Sequence, residues 1–140
     1  MRLVELTKVL EGIALEQPAI KTVVKNDVYR LNSMPSVEYG VFSFTQGTHR
    51  SDGQGFTRFF FTLFYVDRLT ENKDNEIEVQ STGLDVLRNI VRKVEAEYCD
   101  GENSTVAFTT FTERFSDECA GAFANVEFNI ADDTVCEEDY

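Results

Sequence analysis

Histidine occurs once, at position 49, and cysteine three times, at 99, 119 and 136, in a chain of 140 residues. A lone histidine with no evident partner leaves little material for acid–base catalysis or for a metal centre. Three cysteines are an odd number, and their wide spacing fits neither a disulfide framework nor a Cys-x-x-Cys zinc pair, so they read as reduced structural thiols. Nowhere do 18 apolar residues run together, and charges interrupt the N-terminal ten residues every few positions. Neither a membrane span nor a signal-peptide core is expected, and the protein should be soluble and made in a cytosol. No Pro/Ser/Gly-rich linker divides the sequence, which predicts one domain over 1–131 with a flexible acidic tail at 132–140.

Basic residues are also scarce, with 13 Lys and Arg against 25 Asp and Glu and a net charge of -12. A general nucleic-acid binder is excluded, because binding would work against phosphate repulsion instead of gaining from counterion release. The same repulsion suits a conduit through which DNA slides without sticking. A hydrophobic content of 42%, with 12 Phe and 5 Tyr, argues that the chain folds despite its charge.

Chemical motifs are thin. Gly53-Gln-Gly55 precedes a strand, the reverse of a dinucleotide-binding loop, and no Gly-Lys-Ser/Thr phosphate loop exists. The segment 67–78 is rich in Asn, Asp and Glu but lacks the glycine and ligand spacing of a calcium loop. Cys119 lies beside acidic residues that would raise a thiol pKa, so it is a poor nucleophile. His49 reads as an exposed residue of a glycine-rich loop, replaceable by Ala without effect on folding. Glu113, Asp117 and Glu118 cluster around Arg114; a solvated turn or a salt bridge at a subunit contact is the ordinary reading, and acid–base work would need burial. No catalytic residue, cofactor or metal is expected.

What the sequence does hold is the run Phe56 to Val66, Phe-Thr-Arg-Phe-Phe-Phe-Thr-Leu-Phe-Tyr-Val. In a pleated strand Phe56, Phe60, Phe64 and Val66 line one face while Phe59, Phe61, Leu63 and Tyr65 line the other. Both faces want cover, and two helices shield only one, which leaves the second for a neighbouring molecule or for long loops.

The two helices are predicted at 2–17, with a stripe of Leu3, Val4, Leu6, Val9, Leu10, Ile13 and Ala14 ended by Pro18, and at about 79–98, with Leu84, Leu87, Ile90, Val91 and Val94. Residues 19–36 read as an extended arm or short strand pair. Strands are expected at about 37–46 and 56–67, joined across the glycine-rich 47–55, and again at 104–112 and 120–130. The fold class is α+β: a mostly antiparallel sheet of four or more strands with both helices on one face, in the order α-β-β-α-β-β.

This order, the string Val24-Lys-Asn-Asp-Val-Tyr-Arg-Leu-Asn32 leading to Val37-Glu-Tyr39, the long hairpin, and Phe111-Thr-Glu-Arg-Phe-Ser-Asp-Glu-Cys-Ala-Gly121 resemble small ring-forming subunits of tailed bacteriophages. These are the tail-terminator or tail-completion family and related neck proteins. The acidic final strings also look like proteins of crAss-like phages of gut bacteria. The pair Tyr39-Gly40 departs from the pattern, standing where Tyr-Pro would be expected. The resemblance implies a structural virion protein, six or twelve copies in a ring, with other neck or tail proteins above and below and DNA crossing the lumen without specific binding. A ring needs a heterologous interface. It is expected on the hairpin 37–67 and the segment Phe111 to Cys119, through Phe42, Phe44, His49, Arg50, Arg58, Phe59, Phe61, Glu113, Arg114 and Asp117. The glycine-rich loop would reach a neighbour or the lumen.

Two other classes compete. An acidic DNA-mimic inhibitor of a host nuclease or restriction protein fits the charge, but Lys8, Lys21, Lys25, Arg30, Arg50, Arg58 and Arg68 break up the acids of the first half. A small enzyme lacks partners for His49 or Cys119.

Overall fold

The three-and-four spacing of apolar residues at the N-terminus forms helix α1, Leu3–Leu15, in a computed structural model that describes residues 1–25, 38–51, 53–70, 74–99, 105–112 and 119–132. Leu6, Leu10, Ile13 and Ala14 are its buried stripe, while Val4 and Leu15 point to solvent. At its start the Arg2 N–H donates to Glu5 Oε1 at 3.3 Å. Helix α2, Glu76–Tyr98, begins three residues before the sequence-based start. Asn75 explains the earlier start: its Oδ1 accepts the Thr70 N–H at 2.9 Å and its Nδ2 donates to the Arg68 carbonyl at 3.3 Å. Those bonds tie the helix entrance to the end of the aromatic strand and offset the loss of backbone bonds at the turn.

The described strands are β1 (Thr22–Lys25), β2 (Val41–Gln46), β3 (Arg50–Ser51), β4 (Phe56–Arg68), β5 (Thr105–Thr112) and β6 (Cys119–Ala131). They form a mixed sheet in the order β1-β2-β4-β6-β5, with β3 also on β4. The chain is thus α+β with six strands and two helices among the described residues. The expected order α-β-β-α-β-β omits β1, which runs parallel to β2, and the short β3. β2 starts at Val41 rather than near 37 because the chain bends at Tyr39 and Gly40. A Cβ on Gly40 would lie 2.0 Å from the Ala19 carbonyl oxygen, so the Tyr-Gly pair permits a close backbone crossing. Of the 19–36 arm, residues 19–25 fall within the described residues, with β1 at their end.

β4 is the spine of the sheet, since it pairs along its whole length with β6, from Phe56↔Ala131 to Arg68↔Cys119. Its two faces separate as a period of two requires. Phe59, Phe61, Leu63 and Tyr65 join Phe42 and Phe44 of β2, Ala120 to Ile130 at alternate positions of β6, and the stripes of both helices in the main core. Phe64 and Val66 belong to a second, smaller cluster with Val24, Val41 and Cys119, against which Tyr39, Phe111 and Phe123 pack. Both faces of the aromatic strand therefore carry apolar packing.

Small residues let the layers meet closely. A Cβ on Gly83 of α2 would sit 3.1 Å from the Tyr65 ring and 3.2 Å from the Ala122 Cβ. One on Gly121 would fall 1.8 Å from the Tyr65 carbonyl oxygen. Tyr65, buried at this contact, has its phenol pushed well above the usual range by desolvation, and by the charge and hydrogen bond of Asp67, 3.3 Å away. Asp132, assigned to the flexible tail from sequence, is anchored: its N–H donates to the Gly55 carbonyl at 2.7 Å and its Oδ1 accepts from the Thr57 hydroxyl. The rest of the predicted tail lies outside the described residues.

Candidate subunit interface

Where β2 ends at Gln46, the hairpin opens, and β4 loses its regular partner on that side. The Gly47 N–H still donates to the Phe60 carbonyl at 2.8 Å, but the Phe60 N–H turns to His49 Nδ1 at 3.1 Å. An imidazole nitrogen thus replaces a strand carbonyl. Because Nδ1 accepts, the proton sits on Nε2, which donates to Gln46 Oε1 at 3.1 Å. The ring lies against Phe59 and Phe61, with centroids 5.3 and 5.6 Å away. Burial lowers the His49 pKa, in keeping with a neutral ring. His49 is therefore a half-buried structural clasp and not the replaceable exposed loop residue that the sequence suggested.

The clasp holds the 47–51 segment against β4, and the sheet is concave beside it. A groove of about 450 Å³ is lined by Gly47, Thr48 and Arg50 on the loop side, by Phe60, Phe61 and Thr62 of β4, by Asn125, Val126 and Glu127 of β6, and by Ala107 of β5. The floor is aromatic and the rim polar. Arg50 lies over the Phe60 ring at 5.5 Å, and Arg58, directly across from Arg50 in the β3–β4 register, bonds Glu127 at 2.8 Å. Thr62 donates to Asn125 at 2.9 Å. Among the described residues, the border of the groove carries the guanidinium groups of Arg50 and Arg58 and the Glu127 carboxylate that bonds Arg58.

The expected interface residues other than His49, the half-buried clasp, divide three ways. Arg50 is exposed, and Arg58 partly so, at the groove or its border. Phe42, Phe44, Phe59 and Phe61 are corrected to core: they are 0%, 1%, 6% and 2% exposed, in the cluster that also holds the buried stripes of both helices. Glu113, Arg114 and Asp117 lie outside the described residues. The sequence reading missed Thr62, Asn125 and Glu127, which become neighbours of Arg58 and Phe60 only through the β4–β6 register. Alternation along β6 marked Asn125 and Glu127 as lying on the face opposite the core, but no pattern in one strand names its cross-strand partner.

Among the described residues no three His, Cys, Asp or Glu side chains converge as a metal site would need, and no helix is long and apolar enough to cross a membrane. No protein-family model and no curated protein sequence matches the chain.

Proposed function

We propose that this chain is a structural subunit of a ring in the tail or neck of a tailed phage, close in kind to tail-terminator proteins. Six or twelve copies would surround the DNA channel, and the protein's place would be the virion. The observation that carries this reading is the groove on the second sheet face, beside an aromatic cluster that the two helices do not share. A ring subunit needs two unlike patches that fit one another. The Arg50 and Phe60 end of the groove offers one, suited to an acidic and partly apolar surface on the next copy of a chain with 25 Asp and Glu. The tail-terminator arrangement, with both helices on one face, leaves this face for neighbours, and the acidic surplus keeps the channel from holding DNA. The role involves no chemical step.

The DNA-mimic reading draws less support, since Glu11, Glu16, Asp85 and Glu127 are each bonded to a cation, respectively Lys25, Lys93, Arg88 and Arg58. The test is imaging of the intact particle together with native mass measurement of the purified chain. A symmetric ring around the DNA axis is the expected result. A single 15.9 kDa copy bound to a host nuclease would overturn it.

A further inference from the structure

β5 is an edge strand: among the described residues its one sheet partner is β6. Its eight residues, Thr-Val-Ala-Phe-Thr-Thr-Phe-Thr, contain no charge, no proline and no glycine, in a chain that is 27% charged. Edge strands usually carry lysine, proline or a bulge to prevent pairing with another chain. β5 has none of these, and Ala107, Thr109 and Thr110 are exposed. The contrast with β1 is direct, since that strand is four residues long and ends in Lys25, bonded to Glu11 at 2.7 Å.

The register determines which backbone groups of β5 face outward. Phe60 turns its N–H and C=O toward the β2–β3 side, to His49 and Gly47. By the alternation of an antiparallel ladder, Phe61, Leu63 and Tyr65 turn theirs toward β6, where they meet Val126, Ala124 and Ala122. Gly121, Phe123 and Asn125 then face β5 and meet Phe111, Thr109 and Ala107. The backbone groups of Val106, Phe108, Thr110 and Thr112 are left pointing away from the sheet.

That set is self-complementary. Two antiparallel copies of β5 related by a two-fold axis at Thr109 bring Val106 opposite Thr112 and Phe108 opposite Thr110, so every outward residue in both copies meets an outward partner. Within the two strands themselves no like charges are brought face to face. An uncharged strand is also where two acidic chains can approach most closely. We propose that β5 is the edge at which a second copy of this chain pairs, β5 against β5, to make one continuous sheet. The proposal goes beyond the ring reading and stands without it.

The test uses the full chain over micromolar to submillimolar concentrations, with sedimentation for mass and amide hydrogen exchange for the edge. The wild type should form a species of twice 15.9 kDa, or a larger assembly built from it. Exchange at Val106, Phe108, Thr110 and Thr112 should slow as concentration rises. Thr110→Pro removes an outward N–H without touching the bonds to β6, and Thr109→Lys sets like charges across the axis. Each should weaken pairing at least tenfold while the thermal midpoint of the dilute monomer stays unchanged. A wild type that remains monomeric, with those four amides exchanging rapidly throughout, overturns the proposal, and this result requires no variant to fold. An assembly of unchanged mass in both variants overturns it as well, while leaving the ring reading intact. A ring seen in the particle without β5 pairing would do the same.

Discussion

Replacing His49 tests whether an imidazole really substitutes for a strand carbonyl. His49→Ala leaves the Phe60 N–H, half-buried under the hairpin opening, without its 3.1 Å acceptor, a loss of about 1 kcal/mol where water has partial access. It also removes the ring from its contacts 5.3 and 5.6 Å from Phe59 and Phe61, a further ~1 kcal/mol. The sum of ~2 kcal/mol corresponds to a fall of roughly 7 °C in Tm for a chain of this length. Two companions separate the parts. His49→Asn keeps an acceptor near the Nδ1 position and should recover about half of the loss, whereas His49→Phe keeps the ring contacts and loses the bond. The clasp also has a pH signature. Burial lowers the folded-state pKa below the ordinary 6.5, so the unfolded chain binds the proton first as pH falls. The contribution of His49 is complete above pH 6.5 and is lost progressively as pH drops from there through the folded-state value. Urea unfolding at several pH values, with constant m, is the assay. The reasoning fails if His49→Ala and His49→Phe both unfold within about 0.5 kcal/mol of wild type and the variants share its slope below pH 6.5.

Phe61→Ala, in the main core, should cost about 3–5 kcal/mol in urea unfolding, and Phe60→Ala, half-buried on the groove face, clearly less; equal costs would mean the faces are misassigned. Gly121→Ala should destabilise by about 3 kcal/mol, since its Cβ would fall 1.8 Å from the Tyr65 carbonyl oxygen and one of the two strands must shift; a variant as stable as wild type in urea would contradict the close approach. Gly83→Ala sets about 1 kcal/mol of helix propensity against contacts of 3.1 and 3.2 Å, and a net loss is expected. Tyr65 should not ionise with the exposed tyrosines: its folded pKa lies above the unfolded 10.0, so its share of stability is present below pH 10.0 and declines as pH rises beyond it. Absorbance titration should show one phenol appearing only with unfolding, a step that Tyr65→Phe removes.

Local periodicity was enough to read the elements whose environment is uniform along their length. The α1 stripe, the extent of β6 and the two-faced character of Phe56 to Val66 follow from where apolar residues recur, because a helix or strand that buries one face must repeat with that face. What periodicity could not say is how much cover each face receives. Phe42, Phe44, Phe59 and Phe61 looked like surplus surface, and the helices bury them; His49 looked like a loop residue, and the opening of the hairpin turns it into a backbone acceptor. Asn75, Gly83 and Gly121 are similar cases, in which a polar or small residue acquires its role from an atom dozens of residues away or across a turn. The types of the long elements and the acidic balance were legible in the chain alone, because both are sums or short-range repeats. Only the tertiary structure decided which aromatic face is core, where a groove opens and which strand is left as an uncharged edge. Those depend on register and strand order, and both are set by pairings between distant segments.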